Sequence, residues 1–211
     1  MAEPPLIHVV DDDASVRDSL ALLLESAGFQ VRAYDSAVQF LAAASPGGVG
    51  CVLTDVQMPE LNGLELQQRM GSLGIRLPVI VMTGHADVPI AVQALKAGAA
   101  DFLEKPFDDD QLLSAVQRAI AASQRARDEA TAVADIAARL ATLTPREREV
   151  LDRLVAGQPN KTIAYDLGSS PRTVEVHRAR VMEKMHARSL AELVRMTIAT
   201  EGQVSEKPSD D

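Results

Sequence analysis

Tryptophan is absent from this 211-residue chain, which holds four phenylalanines, two tyrosines and one cysteine. A single cysteine excludes an internal disulfide, and Cys51 lies in a strand-like apolar run that suits a small buried hydrophobe. No apolar stretch approaches the roughly 20 residues that a membrane span needs. The opening "MAEPPLIHVVDDD" is acidic and reaches charge too early for a signal peptide, so a cytoplasmic, reduced protein without a membrane partner is expected. Apolar residues make up 46% of the chain, so a core can form, although aromatics supply only 3%.

What is present is divided between two halves. The net charge of −9 comes mostly from residues 1–125, with 8 basic and 16 acidic side chains. Residues 143–200 hold 10 basic and 7 acidic ones and are net positive. Such asymmetry points to two domains with different partners. The expected division is a first domain over 1–125, a helical linker over 126–142, a second domain over 143–200 and a disordered tail over 201–211.

The first domain alternates five apolar runs with five helical patterns. The runs are 6–10, 29–34, 50–54, 77–83 and 100–104, and the helical patterns are 14–27, 36–44, 63–71, 89–97 and 108–122. Strands spaced by helices in this way form parallel βαβ units with right-handed crossovers. The runs at 51–54 and 79–82 are apolar throughout, as strands covered on both faces should be. The fold class is therefore α/β, a doubly wound five-stranded parallel sheet. Its expected order is 2-1-3-4-5, as in other sheets of this kind. Residues 123–141 lack Gly and Pro and favour helix. From Leu143 the pattern is all-α, with helices near 145–156, 161–167, 171–186 and 189–199.

Ligands of a doubly wound sheet bind beyond the carboxyl ends of its strands. Asp11, Asp12 and Asp13 follow the first strand, Asp55 the third, Thr83 the fourth and Lys105 the fifth. In the expected order the acidic ends of strands one and three meet, and three carboxylates pressed together need a cation. Oxygen ligands with room for water suit Mg²⁺ or Mn²⁺. A carboxylate facing outward there can attack phosphorus, with Lys105 and Thr83 receiving phosphoryl oxygens. Asp13, Asp87 and Asp108 also read as helix caps, Asp87 with Pro89 just inside the next helix.

The segments "VVDDD", "LTDVQMPELNG", "VIVMTGHAD" and "AADFLEKPF" resemble the receiver domain of two-component response regulators, over residues 6–122. The resemblance implies that Asp55 is the phospho-acceptor for a cognate histidine kinase. It implies Mg²⁺ held by Asp11, Asp12, Asp55 and the backbone carbonyl of Gln57, and phosphoryl binding by Thr83 and Lys105. It also implies a switch in which Thr83 moves toward phosphate and Phe102 turns into the space released. The face made by 89–97 and 100–104 would then change; its small, apolar residues fit a homodimer patch formed on phosphorylation and equally fit ordinary packing. Lys105–Pro106 matches a position that is often cis. Gln57 stands where related sequences usually carry Arg, at a position that influences phosphate lifetime.

In the second domain "NKTIAYDLGSSPRTVEVHRARVMEKM" reads as helix, turn, helix, with Gly168 ending the first helix, Ser170 capping the second and Pro171 at its first position. Val174, Val181 and Met185 fall on one side, and Arg172, Thr173, Val176, Ala179 and Arg180 on the other, bordered by Glu175. That outward face fits a DNA major groove. It also fits the solvated face of a protein-interaction module.

"LTPREREVLDRLVAG" and "SPRTVEVHRARVMEKM" resemble the LuxR-type helix-turn-helix. This implies promoter DNA as partner, with base contacts centred on Glu175, Val176 and Ala179, and Lys161, Arg172 and Thr173 nearer the backbone. Ser169 departs from the apolar turn residue usual there. The whole chain resembles transcriptional regulators of the FixJ type, which implies a non-enzymatic regulator acting with RNA polymerase. The resemblance also implies a place in an oxygen-responsive or nitrogen-fixation circuit. An enzyme alternative is a haloacid-dehalogenase-type phosphohydrolase with Asp11 as nucleophile and Asp13 as general acid. The lack of a cap insertion in the first domain counts against it.

Overall fold

Strand β1 (Leu6–Val10) is apolar except for His8 and ends at the acidic triplet. In the computed structural model, which describes residues 4–45, 47–84 and 88–204, it is followed by α1 (Ala14–Ser26), β2 (Gln30–Tyr34), α2 (Ala37–Ala43), β3 (Gly50–Asp55), α3 (Gly63–Ser72), β4 (Val79–Thr83), α4 (Val88–Lys96) and β5 (Asp101–Glu104). The five strands are parallel, in the order β2-β1-β3-β4-β5.

Alternation along the strands sends side chains to two cores. Val10, Tyr34, Val52 and Val81 meet Phe40 of α2, and Leu66 and Met70 of α3, on one face. Ile7, Val9, Leu53, Ile80 and Met82 meet Leu20 and Leu24 of α1 on the other. Burial on both faces explains the uninterrupted apolar runs of β3 and β4. Gly50, where β3 begins, is required by close approach: a Cβ there would lie 1.9 Å from the Leu6 carbonyl oxygen.

Helix α5 (Asp109–Ala141) does not stop near residue 122. Leu112, Ala115, Val116 and Ala119 pack in the second sheet core. Residues 124–132 are exposed, and no Gly or Pro interrupts the helix. The chain divides into two compact units, 1–127 and 128–211, within this helix.

The second unit continues with α6 (Pro145–Val155), α7 (Asn160–Asp166), α8 (Pro171–Lys184) and α9 (Leu190–Val204). Its core comprises Val150, Leu154, Ile163, Ala164 and Val174, with a neighbouring cluster of Leu151, Val181, Met185 and Leu193. Helix α9 runs through the first four residues of the tail expected to be disordered, because nothing before Pro208 forbids helix there. The rest of that tail, and the expected cap Asp87, lie outside the described residues.

Candidate functional site

Strands β1 and β3 are adjacent and in register from Leu6 opposite Gly50 to Val10 opposite Thr54, so Asp11 and Asp55 leave the sheet side by side. Asp11 is 1% exposed, and its Oδ1 accepts the Asp13 N–H at 2.9 Å. Asp55 is buried, and its Oδ2 accepts the Gln57 N–H at 2.6 Å. The other oxygen of each carboxylate faces the same cation. Lys105 Nζ lies 2.8 Å from Asp11 Oδ2 and 2.7 Å from Asp55 Oδ1.

Lys105 reaches this point from the end of β5, two strands away from β3 in the sheet. Its N–H donates to the Thr83 carbonyl at 2.7 Å, and the Lys105–Pro106 peptide is cis. Burial works against its charge, but hydrogen bonds to Asp11 and Asp55, reinforced by both negative charges, prevail and raise its pKa above the ordinary lysine value.

Of the acidic residues expected at this end of the sheet, the structure brings Asp11 and Asp55 together on the Lys105 ammonium. Asp12 is exposed, and Asp13 is the N-cap of α1, accepting the Ser15 N–H at 2.8 Å. Two carboxylates and an ammonium therefore meet in the cluster, and the lysine supplies positive charge that adjacent carboxylates need. Among the described residues no group of three or more His, Cys, Asp or Glu side chains is arranged to hold a metal. The donor set is nonetheless all oxygen, and one position is already within reach of both carboxylates, which fits a hard divalent cation.

Thr83 is 1% exposed at the carboxyl end of β4, and Phe102 is half-buried on β5 beside Val81. Gln57 is exposed. Asp108 shows half of a cap, in which Gln111 Oε1 accepts its N–H. Sequence reasoning missed Arg17, whose Nη1 donates to the Asp11 carbonyl at 2.7 Å, and Gly63, where an added Cβ would run into the Asp55 carbonyl oxygen. The only local signal was the place of each just inside the helix after a functional strand.

The second unit presents a different surface. Gly168 takes a positive φ of 57° after α7, and Ser170 caps α8 by accepting the Thr173 N–H at 3.1 Å. Val174, Val181 and Met185 are buried, whereas Arg172, Thr173, Glu175, Val176, Ala179 and Arg180 are exposed, as is Lys161 on α7. Ser169 is half-buried, and its N–H donates to the Ala164 carbonyl at 2.8 Å. Arg146 of α6, also unforeseen, donates to the Leu167 carbonyl and so ties the turn to α6.

A model of the response regulator receiver domain matches residues 7–117, and one of the bacterial regulatory proteins of the luxR family matches residues 141–197. The chain is 54% identical to the transcriptional regulatory protein FixJ of Azorhizobium caulinodans, over 94% of both proteins. The chain belongs to the FixJ-type response regulators.

FixJ of Rhizobium meliloti is 53% identical, over 92% of this chain and 95% of that protein. Among solved structures, full-length FixJ from B. japonicum is 49% identical with a TM-score of 0.57, covering 96% of this chain and 99% of the other. The response regulator StyR is 39% identical with a TM-score of 0.83, covering 93% and 99%. A FixJ-type regulator is a non-enzymatic, DNA-binding transcriptional protein that serves a histidine kinase. The haloacid-dehalogenase alternative has no support from these matches. No described helix is long and apolar enough to cross a membrane.

Proposed function

We propose that Asp55 accepts a phosphoryl group from a phosphohistidine of the cognate kinase, and that the phosphorylated chain dimerises on promoter DNA and acts on RNA polymerase. The observation that carries this reading is the Lys105 ammonium held against both Asp11 and Asp55 at the switch point of the sheet. A carboxylate oxygen of Asp55 attacks phosphorus. The P–N bond breaks, its electron pair stays on the imidazole, and an acyl phosphate forms. Lys105 exchanges a carboxylate partner for a phosphoryl oxygen, and the Thr83 hydroxyl donates to another.

Asp11, Asp12, Asp55 and the Gln57 backbone carbonyl would hold Mg²⁺ or Mn²⁺. The ion, when bound, neutralises charge on the transferring group. Recruitment of Thr83 by phosphate frees space for Phe102 and reshapes the α4–β5 face. Val92 and Leu95, exposed one turn apart on α4, support a dimer contact there. Phosphate needs to favour that state by only a few kcal/mol.

On DNA, the exposed face of α8 enters the major groove. Glu175, Val176 and Ala179 meet base edges, while Lys161, Arg172, Thr173 and Arg180 lie nearer the phosphates. The reading has the chain act in the cytoplasm, in an oxygen-responsive or nitrogen-fixation circuit.

The test is intact-mass analysis after incubation with acetyl phosphate and Mg²⁺, with gel filtration of the same samples. Wild type should gain one phosphate and shift to dimer, and Asp55→Asn should do neither. Phosphate retained by Asp55→Asn but lost by Asp11→Asn would reject the acceptor. Val176→Arg should weaken specific DNA binding without altering phosphate uptake.

A further inference from the structure

The last turns of α5 belong structurally to the second unit. Ile136 and Leu140 pack with Leu151, Val181, Met185 and Leu193, although the luxR-family match begins only at residue 141. The same turns carry polar contacts to the carboxyl end of α8. Arg139 Nη1 donates to the Met185 carbonyl at 3.3 Å. Lys184 Nζ donates to the Thr142 carbonyl at 3.0 Å, just past the end of α5, and to Glu147 Oε2 at 2.6 Å.

The terminal carbonyls of a helix lack partners within it and carry partial negative charge. At the end of α8 the Val181, Met182 and Glu183 carbonyls accept N–H groups of Met185, Ala187 and His186. Met185 is the C-cap, and its carbonyl is met by a guanidinium from outside the helix-turn-helix. The amino end of α8 is fixed separately. Ser170 caps it, and Arg146 holds the Leu167 carbonyl just before the turn. With the amino end fixed, the contacts at the carboxyl end, that of Arg139 among them, bear on the tilt of the helix axis.

We infer that Arg139 is a positioning residue for sequence reading, holding α8 at the angle at which its side chains meet base edges. This rests on the reading of α8 as the recognition helix. Base-edge hydrogen bonds tolerate displacements of only about 0.5 Å, whereas phosphate contacts made by long cationic side chains follow a small tilt. Loosening the C-terminal end therefore costs specificity before it costs affinity for DNA in general. Arg139 is itself half-buried, and its loss leaves the apolar contacts of Ile136 and Leu140 in place.

The experiment uses the full chain, phosphorylated alike in every sample, and a duplex that wild type selects from a randomised library. Affinities for this duplex and for a scrambled one are measured across a salt series for wild type, Arg139→Ala, Arg139→Lys and Val176→Arg. Arg139→Ala should lower the specific-to-scrambled ratio roughly tenfold, the scale of one charge-assisted hydrogen bond. Its scrambled-duplex affinity and salt slope should match wild type, and Arg139→Lys should recover most of the ratio.

An unchanged ratio in Arg139→Ala, with Val176→Arg defective, overturns the positioning role alone. An unchanged ratio in Val176→Arg overturns the recognition-helix reading beneath it. A salt slope reduced by about one in Arg139→Ala would make Arg139 a phosphate contact and also overturn the inference. Equal loss of affinity for both duplexes, with a fall in thermal stability, would make its role structural only and overturn it as well.

Discussion

His8 brings an imidazole to the inside of the sheet, where it stacks on Tyr34 with ring centroids 5.8 Å apart and meets the Phe40 ring edge-on at 5.2 Å. Its Nδ1 lies 3.1 Å from the Tyr34 hydroxyl. Burial, followed by the nearby Arg32 charge, lowers its pKa from 6.5 to about 4. The unfolded chain takes up this proton near pH 6.5 and the folded chain only near 4, so the His8 contribution to stability falls as pH drops through that window and changes no further below it. The loss for the first unit should be at most roughly 3 kcal/mol. His8→Gln, which keeps a hydrogen-bonding group for Tyr34 but cannot titrate, should flatten urea-unfolding stability between pH 6.5 and 4. A slope equal to that of wild type would exclude His8 as its source. Gly63 poses a steric case: a Cβ there would lie 2.4 Å from the Asp55 carbonyl oxygen and 3.2 Å from Thr54 Cγ2. Gly63→Ala should therefore cost about 1–3 kcal/mol and slow phosphate uptake from acetyl phosphate. Normal stability with normal uptake would show that the loop yields freely. The meeting of Asp11, Asp55 and Lys105 was legible because each stands at the carboxyl end of a strand-like run in a sheet whose order could be expected. His8 and Gly63 were not, since their roles depend on a neighbouring strand or carbonyl that no local pattern reveals.

At the scale of elements, the second unit is tied together by Glu147 at the start of α6. Thr144 and Glu147 form a reciprocal capping box, and Lys184 of α8 reaches the same carboxylate at 2.6 Å. Glu147 is 2% exposed, and the hydrogen bond from Lys184, followed by that from the Thr144 N–H, lowers its pKa from 4.5 to about 2. A carboxylate lowered in this way stabilises the fold above pH 4.5, and that contribution is lost as pH falls from 4.5 toward 2. The pair also makes an ordering of variants testable. Lys184→Met alone strands a buried carboxylate, so it should destabilise the unit more than the double variant Glu147→Gln with Lys184→Met, by thermal unfolding at pH 7. If the double variant is the less stable, the lysine is not what compensates the buried charge. The helices themselves were visible in the sequence through apolar spacing, Pro171 and the Ser170 cap. The Glu147–Lys184 pair was not, because the two residues are 37 positions apart. The full reach of α5 was also missed. Pattern before residue 122 and the lack of Gly and Pro after it gave helix on both sides, but only packing shows Ile136 and Leu140 serving the second core.

Over the whole molecule, charge is divided in a way that bears on how the chain finds DNA. The net charge is −9, and residues 143–200 alone carry a basic excess. An overall negative protein is repelled by a polyanion at distance, so attraction must come from a few cations brought close to phosphates. On α7 and α8 the cations proposed for that contact are Lys161, Arg172 and Arg180, all exposed. Three phosphate contacts per chain imply a slope of roughly −3 in the logarithm of affinity against the logarithm of salt, and about twice that for a dimer on two half-sites. Arg172→Ala should reduce the slope by about one per chain, whereas Val176→Arg should lower specific affinity without reducing it. The acidic first unit adds a second effect. Residues 128–211 alone should bind a scrambled duplex more tightly than the full chain in dilute salt, and the two should converge as the screening length shrinks to about 3 Å near 1 M. Convergence would assign the difference to long-range repulsion. A difference that persists at high salt would instead require the first unit to obstruct DNA by contact, which phosphorylation of Asp55 would then have to relieve.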